Sequence, residues 1–543
     1  GTSVATNADG TYKGTYNISQ GKGTEVNADF LLGANKEFGK FSVEASVGGN
    51  TYRTEGNGTS QTTNNFIVKD LYSIDNGNVK AQTFTYGKRR VNSLYGLVEF
   101  GYNRLLYINL TGREDWFSVY NPKNNKVFYP SASASFVFSE LMPKQSWLTF
   151  GKLRLAWAST GSANGVDTYE GVLNYTIAPN NFNNQATATI GGVNAPNALL
   201  TPFKADEKEI GLELRMFKNR VRFDISAFKK VTTDQVLPVT VSNASGYTGT
   251  KDNLASLRNS GIETLIEITP IQKRNFTWTT SWNNAFLSTK VLEISPGVND
   301  FLLLNFNSTG NEFLGQIRYT KGLAMNQLYT RTYLRDDAGN ILLTDAGRLI
   351  ATPDYKPVGS SIPKFTGGWI NSFSHKNLTV SIFIDYKFGG TVMSGTALNM
   401  LRQGLSVASL AGRRDGENGL VFPGVIQSTG RPNDVAVTNL QAFYADYRNL
   451  QIGDPFVFKS DFVKLRNISV VYNLTGLVNK VSYLKFFKGL TLSASVRNVA
   501  ILYKDLPGLD PEAVQSSGDI RSGYENAALP TTRSYNLSLN VKF

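Results

Sequence analysis

The stretch KEIGLELRMFKNRVRFDISAF, residues 208–228, decides the fold. Ile210, Leu212, Leu214 and Met216 alternate with Glu209, Gly211, Glu213 and Arg215. Past the turn FKNR, Val221, Phe223, Ile225 and Ala227 alternate with Arg222, Asp224, Ser226 and Phe228. A period of two places each set on its own face of an extended strand. Each run has about the ten residues a tilted strand needs to cross a bilayer. A basic side chain facing lipid at the midplane costs about 2–4 kcal/mol. Arg222 and Asp224 are therefore expected to face a wet interior, and Val221, Phe223 and Ile225 to face lipid.

The same alternation recurs outward from this hairpin. It appears in LLYINLT (105–111), SASASFVFS (131–139), KLRLAW (152–157) and LTVSIFIDYK (378–387), where Phe383 is the one exception. Segments of this kind centre near residues 29, 45, 97, 109, 135, 154, 211, 225, 264, 281, 369, 382, 468, 494 and 538. Their connections alternate in length. Short ones are NKEFGK (35–40), YNR (102–104), LMPKQS (141–146), FKNR (217–220), IQKRN (271–275) and SHKN (374–377). Long ones fall near 53–88, 115–130, 161–204, 230–256, 295–363, 389–460 and 500–532. One short rim and one long rim are what an antiparallel meander has when it spans an outer membrane. If the last strand ends in the periplasm, every short connection lies on that side, and 161–204, 295–363 and 389–460 lie outside. The predicted fold is all-β: a transmembrane antiparallel β-barrel with short periplasmic turns and long extracellular loops. A secreted sandwich or propeller would rarely keep one rim so short, and no blade-length repeat is present.

Composition agrees. Charged residues make up 18 % of the 543 and aromatics 12 %, with 50 Gly, 25 Tyr and 33 Phe, a mixture suited to strands, tight turns and aromatic girdles. Mean hydropathy is −0.21, which a barrel tolerates because only alternate strand residues meet lipid. There is no run of about twenty apolar residues for a helical span. The opening GTSVATNADGTYKG has neither a basic nor an apolar leader region. With no cysteine, disulfides and thiolate metal sites are excluded. The formal net charge of +13 comes from bases scattered singly along strands and turns, so no nucleic-acid partner is expected.

Chemistry-bearing constellations are few. The single histidine, His375, lies in the turn SHKN and cannot build a zinc site or a triad. Glu209, Glu213, Glu263 and Glu267 alternate to the charged face of strands, where they read as wall residues rather than acid–base pairs. KFGGT (387–391) lacks a following Lys-Ser/Thr and marks a strand end. No enzyme activity, cofactor or metal is expected. Loop aromatics are the candidate ligand or partner contacts: Trp116, Phe117, Tyr120, Tyr247, Phe301, Phe306, Phe443 and Tyr444. The bland alternative is that they brace loops against one another. Trp278, Trp282 and Trp369 lie on strands and read as girdle residues. Tyr535, Leu537, Leu539, Val541 and Phe543 share one face of a final strand ending in an aromatic residue. Such a strand looks like the signal read by the barrel-assembly machinery of Gram-negative bacteria.

Several stretches, in order, resemble the SusC/RagA family of TonB-dependent outer-membrane transporters of Bacteroidota, here its C-terminal barrel portion. They are TGREDWFSVYNPKNNKVFYPSASASFVFSE (111–140), KLRLAWASTGSANG (152–165), KADEKEIGLELRMFKNRVRFDISAFKKVTTDQVL (204–237), RNSGIETLIEITPIQKRNFTWTTSWNNA (258–285), DFVKLRNISVVYNL (461–474), RNVAILYKDLPGLDPE (497–512) and LPTTRSYNLSLNVKF (529–543). The resemblance implies a multi-pass β-barrel in the outer membrane. It implies active nutrient import of glycans or peptides, energised by TonB, with a SusD-like surface lipoprotein as lid and outer-membrane lipid around the wall. Barrels of this type have about 22 strands and a plug. The N-terminal extension, TonB box and plug of the family are not visible in this sequence, so residues 1–543 are expected to be a partial barrel of about fifteen strands. Two alternatives stay open: a complete passive porin of about sixteen strands, and a barrel serving as a structural or assembly subunit of a multi-protein envelope complex. LRDDAGNILLTDAGRL (334–349) sits where the family often carries an acid-rich turn, but its acid spacing suits a solvated turn better than a calcium loop.

Overall fold

The computed structural model describes every residue except 1–6, 8–9, 78, 144–146, 178–181, 193, 307–314, 479, 482–485 and 517–519. Fifteen strands succeed one another in hydrogen-bonded order. They are β1 (Tyr12–Phe38), β2 (Phe41–Phe66), β3 (Val79–Tyr102), β4 (Leu106–Phe117), β5 (Lys126–Phe136), β6 (Leu148–Ser162), β7 (Phe203–Met216), β8 (Val221–Thr233), β9 (Ser256–Lys273), β10 (Phe276–Glu293), β11 (Phe365–His375), β12 (Leu378–Phe388), β13 (Phe462–Asn473), β14 (Gly489–Lys504) and β15 (Ser534–Lys542). Each of the fifteen centres read from the sequence falls inside one of these strands. β1 and β15 stand at the two ends of the order.

The tight turns follow from local chemistry. Gly39 and Lys40 join Phe38 to its partner Phe41, with Gly39 at φ +63°. Lys376 and Asn377 join His375 to Leu378, with Lys376 at φ +51°. Left-handed residues of this kind give a two-residue hairpin a twist that matches its strands. FKNR does the same with three successive left-handed residues, Phe217, Lys218 and Asn219.

The sequence-based loop at 53–88 is corrected by the structure. β2 runs on to Phe66 and β3 begins at Val79, leaving only 67–78 as the connection. β1 has 27 residues, about 90 Å of chain at 3.4 Å per residue, far beyond what a bilayer requires. Above the membrane both faces of a strand are wet, so no apolar alternation marks it. Ser, Thr and Asn fill both faces instead and hydrogen-bond across the ladder. Asn17 donates to Ser60 at 2.9 Å and to Thr62 at 2.6 Å, and Thr15 donates to Asn64 at 2.9 Å. The expected loop at 115–130 likewise shrinks to 118–125.

The chain forms two compact units. The first comprises residues 1–134, 156–206 and 232–254. Its loops carry an antiparallel pair, Gln235–Thr240 with Gly249–Leu254, over a small core of Phe117, Val119, Tyr120, Val166, Leu200 and Val236. The second comprises residues 135–155, 207–231 and 255–543. The described residues of its long connections 294–364 and 389–461, together with Tyr524–Glu525, fold into a core of their own. That core holds a four-stranded sheet, a three-stranded sheet and the helices α1 (Gly395–Arg402) and α2 (Leu440–Asn449). Ser394 caps α1 by accepting from the Ala397 amide at 3.0 Å, and Asn439 caps α2 by accepting from Ala442 at 3.0 Å.

Candidate functional site: the polar wall and the outer loop core

In the second unit, alternation along β6, β7 and β8 brings scattered charges together across strands. Asp224 accepts from Arg154 at 2.7 Å. Glu213 is buried among Lys152 at 3.2 Å, Arg154 at 3.6 Å, Arg215 at 2.9 Å and Arg222 at 3.8 Å. Leu155 and Ile210, on the opposite face, are 48 % and 50 % exposed. Charges gathered inward and apolar side chains bare outward invert a soluble protein, as expected of a wall between water and lipid. Glu213, held by four bases, is a wall residue and not an acid–base catalyst.

The faces stay separate across β9 to β13. One cross-strand row reads Glu263, Ala285, Thr366, Lys387, Phe462, and the next Leu265, Asn283, Gly368, Asp385, Lys464. The first row, and the second as far as Asp385, line a cavity of about 830 Å³ that also includes Arg154 and Asp224. Phe383, the break in the alternation, lies on this polar face, its ring over Gly368, where a Cβ would come within 2.7 Å. The opposite face carries the row Ile266, Trp282, Trp369, Ile384. Trp282 and Trp369 stack at 5.7 Å, and Trp278 stacks on Phe373 at 5.9 Å. The indole N–H of Trp369 donates to Thr280 at 2.9 Å and that of Trp278 to Asn371 at 3.1 Å. Aromatic rings that carry a polar N–H are suited to a membrane boundary.

A second ion cluster joins the wall to the connection after β14. Lys464, 2 % exposed, donates to Asp510 and Glu512, each at 2.6 Å. Arg466 bridges Asp385 at 2.6 Å and Glu512 at 2.8 Å. Burial alone would raise the Asp510 carboxyl, but the hydrogen bonds from Lys464 and Thr531 bring it down to about 2. Glu512 is likewise held below the usual carboxylate range, the bonds from Arg466 and Lys464 outweighing its burial. The sequence reading missed this cluster. Lys464 and Arg466 share a face in KLR, but nothing local links them to acids 46 residues away.

The candidate aromatics separate into two groups. Phe117 and Tyr120 are buried, edge-to-face at 6.2 Å, in the loop core of the first unit. In the second unit Phe306 stacks on Tyr524 at 4.1 Å, and Phe443 and Tyr444 meet edge-to-face at 5.6 Å, all of them buried. These five brace loops and offer no open ring face. Trp116, Tyr247 and Phe301 are half-buried and keep accessible surface. On β15, Tyr535, Leu537 and Leu539 are exposed along one face and Val541 is half-buried; Phe543, just past the strand, is exposed. His375 is exposed in its turn. Asp336 of the 334–349 segment accepts from the backbone and side chain of Asn340 at 2.8 and 3.0 Å, closing its own turn.

These features define a class: a membrane-spanning antiparallel β-sheet wall with a charged inner face and folded outer loops. The family model described as TonB dependent receptor-like, beta-barrel, matches residues 1–499. The chain belongs to that family, one of receptors rather than enzymes. It is 23 % identical to TonB-dependent receptor P3 of Formosa agariphila, over 96 % of this chain and 52 % of that protein. It is 22 % identical to TonB-dependent receptor SusC of Bacteroides thetaiotaomicron, over 86 % of this chain and 45 % of that protein. The RagAB peptide transporter shares the fold, with a TM-score of 0.74 at 17 % identity, over 97 % of this chain and 56 % of that chain. The chain thus spans about half the length of the curated relatives it matches.

Proposed function

We propose that the chain is the C-terminal part of the barrel of a SusC-like, TonB-dependent outer-membrane transporter that imports glycans or peptides under a SusD-like lipoprotein lid. The observation that carries this reading is the charged, ion-paired inner face of the wall combined with a family match over most of the chain. Transport in the RagAB peptide transporter, which shares the fold, supports it. The edges of β1 and β15 require partner strands, because an unpaired backbone group in hydrocarbon costs several kcal/mol. We assign those partners, with the plug and the TonB contact, to further segments of the same transporter. The long connections face outward, Trp116, Tyr247 and Phe301 are the remaining candidate ligand contacts, and β15 is the assembly signal.

The test is uptake. Deleting the gene should abolish growth on an oligomeric nutrient while sparing growth on its monomers, and deleting TonB should have the same effect. Uptake that persists without TonB would favour the passive porin. Growth unaffected on every oligomer, with an envelope complex lost, would favour the structural subunit.

A further inference from the structure

The described residues of the connection between β14 and β15, 505–516 and 520–533, are anchored at two places in the second unit. Its lower anchor is the ion cluster: Asp510 and Glu512 close on Lys464 and Arg466 of the wall, and Thr531 donates to Asp510 at 2.6 Å. Its upper anchor lies in the outer loop core. Tyr524 is buried there, stacked on Phe306 and paired in parallel with Met393. Glu525 is buried beside it, and its two carboxylate oxygens accept from Ser394 and Thr396, each at 2.5 Å. Gly523 fits against Leu328 and Ser361, where a Cβ would come within 2.7 Å of each. One bond ties the anchors directly: the Gln515 amide donates to the Tyr524 carbonyl at 2.8 Å.

Two attachments on one short segment hold each other at high effective concentration, so the loss of either lowers the occupancy of the other. The lower attachment needs this help. Lys464 and Arg466 belong to the wall whether or not the carboxylates are present, and once the cluster parts, water solvates all four charged groups. The upper attachment is made by neutral hydroxyl donors to a buried carboxylate, together with ring packing. It therefore depends on the loop core being folded around it.

We propose that Asp510–Ala513, with Thr531, and Gly523–Glu525 form a latch through which the outer loop core keeps the Lys464–Arg466 site of the wall closed. Disturbing Tyr524 or Glu525 on the outside frees Asp510 and Glu512 from the wall. This inference is independent of substrate, lid and TonB.

These 543 residues hold no cysteine, and any cysteine elsewhere in the full-length protein is first changed to serine, so that the introduced thiol reports alone. Ala513, 6 % exposed between the anchors, is changed to cysteine in the full-length protein in outer-membrane vesicles, and its labelling rate by a charged maleimide is followed. Adding Arg466→Ala opens the lower anchor directly and should raise the rate about tenfold or more. Glu525→Ala, which touches only the upper anchor, should raise it to a similar degree. Thr396→Val, which removes one hydroxyl donor without emptying the core, should fall between parent and Glu525→Ala. A Leu398→Cys thiol, buried in α1, should stay unlabelled in the Thr396→Val background, showing that the core is folded. A labelling rate unchanged by both upper-anchor variants while Arg466→Ala raises it would overturn the latch. So would a rate that Arg466→Ala leaves unchanged, since the ion cluster would then hold nothing.

Discussion

The wall around β6 to β8 and the outer loop core belong to one compact unit, yet they follow opposite rules. In the wall, Glu213 and Asp224 turn inward to bases while Leu155 and Ile210 are bare on the other face. In the loop core, Phe443 is 0 % exposed in one buried cluster with Leu398, Met393 and Ile452, as in any water-soluble domain. The wall has its apolar side chains bare on one face and its charges on the other, whereas the loop core buries its apolar side chains within itself. Burial therefore has the reverse meaning in the two regions, and the same substitution should act differently in each.

The largest effect is expected in the loop core. Phe443→Ala empties a fully enclosed site and should destabilise that core by about 3–5 kcal/mol. Limited proteolysis should then cut within 389–460, while the heat-modifiable migration of the barrel stays as in the parent. Next comes the wall. Phe223→Arg places a charge on the apolar face and should cost about 2–4 kcal/mol if it lies near the midplane. The reverse change at the neighbouring position, Arg222→Phe, should be far milder in urea unfolding from lipid. Labelling cysteines placed at 222 and 224, but not at 223 and 225, with an aqueous reagent would sharpen the same contrast, and the opposite pattern would break it.

The pH effect is smaller and belongs to the ion cluster. Asp510 sits at about 2 when folded, below an ordinary 3.8. A depressed carboxyl contributes stability that is fully present above the unfolded value and is lost as pH falls through the folded one. Closure of the Asp510–Glu512 anchor should therefore be unchanged from neutrality to about pH 4 and weaken by on the order of 2 kcal/mol towards pH 2. Labelling of the Ala513→Cys variant across that window, with a reagent reactive in acid, would show it. The smallest effect is at the Tyr333–Tyr447 hydroxyl pair, 2.9 Å apart in the loop core. Burial raises the Tyr447 phenol and brings Tyr333 to about 12, so both remain neutral donors at any physiological pH. Tyr447→Phe should cost about 1 kcal/mol in loop-core proteolysis kinetics.

Among the described residues, the places where the sequence was legible and where it was not divide along physical lines. The fifteen strands were legible because lipid on one side and water on the other impose a period of two, and turns such as FGK and SHKN signal themselves locally. The upper parts of β1 to β3 were not, because Asn17, Ser60 and Thr62 sit where both faces are wet and no alternation is required. The loop aromatics were found, but their roles were not. Nothing in the order of residues distinguishes Phe443, sealed in a core, from Phe301, which keeps accessible surface.

What the sequence determined by itself was which side chains share a face, because that follows from strand geometry within ten residues. It thereby separated Arg222 and Asp224 from Phe223 without any knowledge of their partners. Only the tertiary structure decided which charges meet. Asp224 found Arg154 across 70 residues, and Asp510 found Lys464 across 46. Those pairings depend on the register of neighbouring strands and on how a long connection folds back. Neither leaves a local trace, since a lone carboxylate in a loop reads the same whether it ends in water or on a buried lysine.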